Sequence, residues 1–377
     1  MIKESVLYDF DDLLIEPDVV SNIKSRSEIK IYDSIGYLPL FTAPMDTVVS
    51  SENGNIEEFT NRKIRVTLPR TSTTKKISLD PTVWSSYSLQ EFEEVYLNDE
   101  EGREEYKELP VFFVLIDIAN GHMVRLLEAV EKAKDLYGKT IKLMVGNVAN
   151  PETFAILAKA GADCVRVGIG NGGGCLTTVQ TGVGYPMASL IDKCVTIKRN
   201  EGLTTKIVAD GGMKNYDDII KALALGADYV MLGSLFNKAL ESAAPNLVDV
   251  GSRHYISYER YVEQNSTAIS KETLAKFKMK EMRPLSLEEL MKQNSLYKQF
   301  RGMSTKEAQQ ALGVKKLKTS EGIVKYQKVE YTLDSWIENF SHYLRSAMSY
   351  TNSLNLDEFK NTTLNVVSQN AKNRFKK

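Results

Sequence analysis

The 377-residue chain is poor in the residues that make covalent or metal-stapled folds: it has three cysteines, Cys164, Cys175 and Cys194, with no CxxC pair, and three histidines. That scarcity argues against a disulfide framework or a structural zinc site. A basic cluster is also missing. With 48 lysines and arginines against 49 acidic residues the net charge is −1, so neither nucleic acid nor an anionic membrane is the expected partner; both are bound through accumulated positive charge. No apolar run approaches the ~18 residues of a membrane span, and MIKESVLYDFDD lacks the basic and apolar regions of a secretory signal. The expectation is a cytoplasmic protein acting on a small-molecule substrate.

What the chain does have is alternation. Eight short β-rich runs, at 39–43 (PLFTA), 64–69, 82–88, 111–117 (VFFVLID), 141–148 (IKLMVGNV), 164–170, 206–212 and 229–234, are separated by helical patterns. Several are continuously apolar, as strands covered on both faces must be. Between them, Met123, Leu126, Leu127, Val130 and Ala133 recur at helical spacing with Gly138 as a stop. Asn150-Pro151 opens a helix closed by Gly161, and Asn215 opens one closed by Gly226. The predicted fold class is α/β, a (β/α)8 TIM barrel with an inserted region after the last strand.

The expected organisation is an N-terminal arm over 1–38, a catalytic barrel over 39–350 and a polar, basic tail over 351–377 that frays beyond 362. Within the barrel, 236–325 departs from the repeat. Its first part, 236–300, is charged and partly helical with a capping-box pattern Ser286-x-x-Glu289, and a second such pattern, Ser304-x-x-Glu307, follows. An excursion from a strand's C-terminal end lies over the mouth of a barrel, which makes it a candidate lid or flap; an oligomer contact or a surface decoration is the other reading.

The chemistry centres on Gly168-Ile169-Gly170-Asn171-Gly172-Gly173-Gly174-Cys175-Leu176-Thr177-Thr178. So many glycines suit a backbone that takes positive φ, approaches a ligand closely and offers successive N–H groups to an anion. A cysteine among those dipoles is a candidate nucleophile, whereas a flexible loop with an incidental cysteine would read the same way. Cys164 and Cys194, set among apolar residues, are expected to be packing residues. Asp210-Gly211-Gly212 and Gly233-Ser234 end consecutive strands, where glycine amides suit a phosphate and Asp210 suits ribose hydroxyls; together they favour a nucleoside monophosphate. Asp117 is a carboxylate at a strand end, and His122 reads as a loop or capping residue.

These residues fall in an ordered series: YDFDDLLIEP near the start, KSRSE at 24–28, APMDTV at 43–48, DIANGH at 117–122, GNV at 146–148, GIGNGGGCLTT at 168–178, TGVGYP at 181–186, ADGGM at 209–213, MLGS at 231–234, GMS at 302–304, SEG at 320–322 and LRSAMSY at 344–350. The series resembles the IMP dehydrogenase/GMP reductase family over nearly the whole chain except 236–290. ANGH, TGVGYP, and a short path from GMS to SEG without an Arg-Tyr pair resemble the reductase branch. Phe300-Arg301-Gly302-Met303 mixes the two spellings, so the dehydrogenase reaction, IMP plus NAD to XMP, stays open as the alternative.

The resemblance implies NADPH-dependent reductive deamination of GMP to IMP in a homotetramer. Cys175 would be the nucleophile at C2 of guanine, with Thr177 and Glu321 moving protons onto the departing amine. Asp210, Gly211, Gly212, Gly233, Ser234, Gly302, Met303, Ser304, Lys318, Thr319, Ser320 and Gly322 match positions that hold GMP. Ser25, Arg26, Arg70, Asp117, Ile118, Ala119, Ser346, Ala347, Met348 and Ser349 match positions around the cofactor, some serving a neighbouring subunit. Gly170, Gly172, Cys175 and Thr178 would surround a monovalent cation, potassium by analogy. The chain departs from the family at Asn171 (usually proline), Gly173 (usually a serine that helps hold phosphate), Thr178 and Lys318 (both usually arginine). Those departures point to a variant substrate such as a deoxynucleotide, an altered cation site, or a catalytically weakened purine-nucleotide-binding barrel.

Overall fold

The eight apolar runs become eight parallel strands in the computed structural model, which describes residues 6–52, 54–72, 77–266, 283–313 and 319–375. They are β1 (Leu40–Thr42), β2 (Val66–Leu68), β3 (Val83–Tyr87), β4 (Phe112–Asp117), β5 (Ile141–Val148), β6 (Cys164–Val167), β7 (Lys206–Asp210) and β8 (Tyr229–Leu232). From β2 onward each pairs with the next, and β8 pairs with β1 through Leu40–Val230 to Thr42–Leu232. A parallel bridge from Phe41 to Arg65 joins β1 to the start of β2 and brings the ring round on itself. The expected barrel is the observed fold.

Helices lie between the strands where the stop and start residues put them. Val124–Tyr137 ends at Gly138, whose φ of 54° few other residues tolerate. Pro151–Lys159 begins on Asn150, whose side chain accepts from the Glu152 amide at 2.8 Å. The acidic stretch after β3 also folds as helices, Leu89–Phe92, Glu93–Asn98 and Glu100–Lys107, and the first two bury Phe92, Tyr96 and Leu97.

Inside the barrel, Phe41, Trp84, Leu115, Met144, Cys164, Val208 and Met231 form one apolar layer. Strand side chains on one face repeat every second residue, so two residues further along β4, β6 and β7 the same inward face carries Asp117, Arg166 and Asp210. The interior therefore changes from apolar to charged as it nears the C-terminal ends, the face where barrel enzymes carry their chemistry.

After β8 the chain makes a short helix, Ser234–Asn237, and then an antiparallel sheet that the sequence reading did not foresee. Its strands are β9 (Asn246–Asp249), β10 (Tyr255–Ser257), β11 (Leu296–Arg301) and β12 (Val324–Lys328), in the order β10-β9-β11-β12. The alternation in β11 is real, with Leu296, Lys298 and Phe300 buried, but a lysine at an inward position hides it. Lys298 is accommodated because its ammonium donates to the carbonyls of Leu240 (2.8 Å) and Ser242 (2.5 Å).

The helices Tyr258–Asn265 and Leu287–Lys292 flank this sheet, and Val248, Ile256, Leu290, Leu296 and Val329 form its small core. The Ser286/Glu289 capping box forms. The one at Ser304 does not: the Thr305 amide is turned back onto the Gly302 carbonyl at 3.2 Å, and Thr305 caps the helix Lys306–Ala311.

The tail also differs from expectation. Leu364–Val366 pairs with Leu13–Ile15, and Lys372 in the helix Gln369–Phe375 lies 3.0 Å from Asp12. Backbone pairing and that charge contact hold residues whose composition alone suggests fraying. Among the described residues no helix is long and apolar enough to cross a membrane.

Candidate active site

The glycine-rich loop leaves β6 and is sutured to the sheet above it by main-chain bonds. Ile323 donates to Gly174 O at 3.1 Å, Leu176 to Glu321 O at 2.6 Å and Gly302 to Ile323 O at 3.0 Å. Such contact needs glycine. A Cβ on Gly174 would come within 2.8 Å of the Phe300 ring, and one on Gly302 would run into the Gly174 carbonyl. Segments 172–176, 301–304 and 320–323 are thus one backbone cluster above the barrel.

That cluster brings Cys175, Thr177 and Glu321 together. The Cys175 thiol donates to Thr177 Oγ1 at 3.2 Å, and the Thr177 hydroxyl donates to Glu321 Oε2 at 2.7 Å. All three are half-buried. The chain of donors runs in one direction, from sulfur to carboxylate, so a proton leaving the thiol has a route to Glu321. The other two thiols behave as packing: both are buried, burial pushes Cys164 up to about 12, and it raises Cys194 as well.

Below the loop lies a lattice of charge that the sequence reading saw only at its ends. Arg166 Nη1 donates to Asp117 Oδ1 at 2.6 Å and its Nη2 to Asp210 Oδ2 at 2.7 Å. Asp210 Oδ2 also accepts from Asn147 Nδ2 at 2.7 Å, and Arg70 Nε stands 3.2 Å from the other oxygen of Asp117. Burial works against the charge of Arg166, but the two carboxylates more than offset it and raise its pKa. The missed signal was a lone arginine in an apolar strand, level with two strand-end aspartates. Asp46 and Arg301, also missed, form a two-point ion pair between the loop after β1 and the end of β11.

Gly211 and Gly212, both at φ 90°, bring the end of β7 under the loop, where a Cβ on Gly211 would come 3.0 Å from the Gly172 amide. Gly233 and Ser234 lie alongside, and a Cβ on Gly173 would sit 3.7 Å from Ser234 Oγ. Ser320 Oγ donates to Gly322 O at 2.8 Å, and Ser304 Oγ is 3.0 Å from where a Gly322 Cβ would be. Met303 lies in the segment 301–304 and Thr319 immediately precedes the segment 320–323, while Lys318 is outside the described residues. Ile118 exchanges backbone bonds with Gly146 and Asn147, so the chain from Asp117 through Ala119 follows the C-terminal end of β4. His122 is a loop brace, accepting from the Ala149 amide at 3.1 Å.

Ser25, Arg26 and Ser346 to Ser349 form a separate group. Arg26 Nη1 lies 3.4 Å from His342 on the helix Leu333–Tyr350, and among the described residues no hydrogen bond or ion pair links this group to the Cys175 loop. The Met348 side chain is fully buried in the main core. In the set expected around a cation, Thr178 Oγ1 donates to Val183 O at 2.7 Å and Gly172 O accepts from the Cys175 amide at 3.0 Å, and each oxygen keeps a lone pair.

The arrangement defines a class: a (β/α)8 barrel whose cysteine loop, proton-carrying pair and charged lattice all gather at the C-terminal face. Comparison with known proteins makes the class specific. The IMP dehydrogenase / GMP reductase domain matches residues 98–287. GMP reductase 2 of Bos taurus is 30% identical over 282 residues, 67% of this chain and 75% of that protein. GMP reductase of Citrobacter koseri is 30% identical over 279 residues, 68% of this chain and 76% of that protein. Inosine-5'-monophosphate dehydrogenase of Chlorobaculum parvum is 44% identical over 146 residues, 39% of this chain but 29% of that protein's length. The chain belongs to the IMP dehydrogenase/GMP reductase family of oxidoreductases.

Proposed function

We propose that the protein reduces GMP to IMP and ammonia with NADPH. The observation that carries this reading is the donor chain Cys175–Thr177–Glu321. The Cys175 sulfur, its proton passed to Glu321 through Thr177, bonds to C2 of guanine. Glu321 returns a proton through Thr177 to the exocyclic amine, which leaves as ammonia. A nicotinamide cofactor held beside Arg70, Ile118 and Ala119 would supply a hydride to C2 of the resulting thioimidate, and departure of the Cys175 sulfur from that carbon would give IMP and free the cysteine.

This chain's other residues bind and orient. Gly211, Gly212, Gly233 and Ser234 offer donors for the nucleotide phosphate. Asp210 has one oxygen held by Arg166 and Asn147, which aims its other oxygen for a ribose hydroxyl. Arg70, Ile118 and Ala119, beside Asp117 at the mouth, would flank the cofactor. The exposed group around Ser25 and Arg26 would serve the cofactor of a neighbouring subunit, and the exposed Tyr343 and Tyr350 on the adjoining helix suit a homotetramer's contact surface.

Purified protein mixed with GMP and NADPH should consume NADPH and yield IMP in equal amount. If GMP is untouched while IMP and NAD give XMP, the dehydrogenase direction, which the 44% regional identity favours, replaces this one. Nucleotide binding without turnover, indifferent to Cys175→Ala, would instead mark a weakened binding barrel.

A further inference from the structure

Strand β12 directs one cation at the glycine loop. Lys325 is paired in register with Phe300 of β11, and its ammonium sits 5.1 Å from the centre of the Phe300 ring. That ring is itself wedged into the site, 2.8 Å from where a Cβ on Gly174 would be and 3.9 Å from where one on Gly233 would be. The ammonium donates to the Gly173 carbonyl at 3.2 Å. Among the described residues no carboxylate pairs with it, and the charge that acts on it is another cation, Lys238. Burial and Lys238 both lower its pKa, and none of the described residues neutralises this ammonium.

The empty corner beside it has a definite position. The point where a Gly173 side chain would begin lies 3.5 Å from Lys325 Nζ and 3.7 Å from Ser234 Oγ. One half-buried cation and one hydroxyl face this space, which has no side chain of its own. An anion there would accept from both, and a charge-assisted bond is about twice as strong as a neutral one.

We propose that Lys325 is a phosphate-holding residue, its ammonium bonding the 5'-phosphate of the nucleotide between Gly173 and Ser234. The assignment rests on the purine-nucleotide reading of this site and gives it a charge that the glycine loop lacks. It makes the phosphate, rather than the base, the group through which Lys325 selects its ligand.

The test is calorimetric titration of the full chain, wild type and Lys325→Gln, with IMP and with inosine, alongside Lys325→Arg. Far-UV circular dichroism and thermal melting check that the variants are folded. Lys325→Gln is expected to weaken IMP binding by roughly ten- to hundredfold, with inosine binding unchanged. Lys325→Arg, which keeps the charge, should retain most of the affinity. Equal IMP affinity in wild type and Lys325→Gln would overturn the role of Lys325 while leaving the nucleotide reading intact, as would equal losses for IMP and inosine. Wild-type protein that binds neither IMP nor GMP would sink the nucleotide reading itself and this role with it.

Discussion

Thr177 and Glu321 stand 144 positions apart in sequence, yet their side chains meet at 2.7 Å, because the sheet after β8 folds back over the loop after β6. Each residue is useful only through the other. The threonine hydroxyl has a single proton and is placed to accept from Cys175 while donating to the carboxylate.

Replacing the carboxylate breaks that sequence without removing volume. Glu321→Gln is expected to lower kcat by about 10²–10⁴ with little change in KM for GMP, since general acid–base help acts on the chemical step. Thr177→Val should fall in the same range, and the double variant should be little worse than either single one. Steady-state kinetics of NADPH consumption check this; additive losses would mean that the two residues act separately.

A second expectation concerns Arg166, which is 5% exposed and lies between Asp117 and Asp210. Arg166→Met would leave two carboxylates near the barrel interior without their main partner. A loss of about 3–5 kcal/mol in unfolding free energy is expected, as when one member of a buried ion pair is removed. Urea denaturation followed by fluorescence measures it, and adding Asp117→Asn should restore part of the loss.

At the other end of the barrel, Asp228 precedes β8 and is contacted by Lys198 at 2.6 Å, Lys360 at 3.1 Å and Lys206 at 3.2 Å. Burial alone would raise its pKa, but the three ammonium charges outweigh burial and hold it at about 2. A carboxylate whose folded pKa is depressed contributes stability above its unfolded pKa and loses it as pH falls through the folded value. The expected contribution of about 2 kcal/mol is therefore complete above roughly pH 4 and lost toward pH 2. Denaturation at stepped pH should show that loss in the wild type and a flatter curve in Asp228→Asn.

Much of this was legible in the sequence, for a physical reason. Strands buried on both faces, such as Phe112–Asp117 and Ile141–Val148, must be apolar throughout, and glycine stops such as Gly138 mark where helices end. The sheet over the barrel was not legible, because Lys298 occupies an inward position that only the carbonyls of Leu240 and Ser242 make tolerable. Arg166 was missed because its meaning depends on which residues share its level across strands. Lys325 was missed because a lysine in a charged stretch announces nothing until its strand is seen facing Gly173.

The proposed reaction depends on a covalent bond between Cys175 and the purine. The most direct measurement is the intact mass of the protein quenched during turnover of GMP with limiting NADPH, followed by peptide mapping. The expected result is a fraction heavier by the nucleotide less ammonia, with the added mass on the peptide that contains Cys175 and absent from Cys175→Ala. Protein that turns GMP over at full rate while its mass stays unchanged, or a Cys175→Ala variant that retains activity, would contradict it.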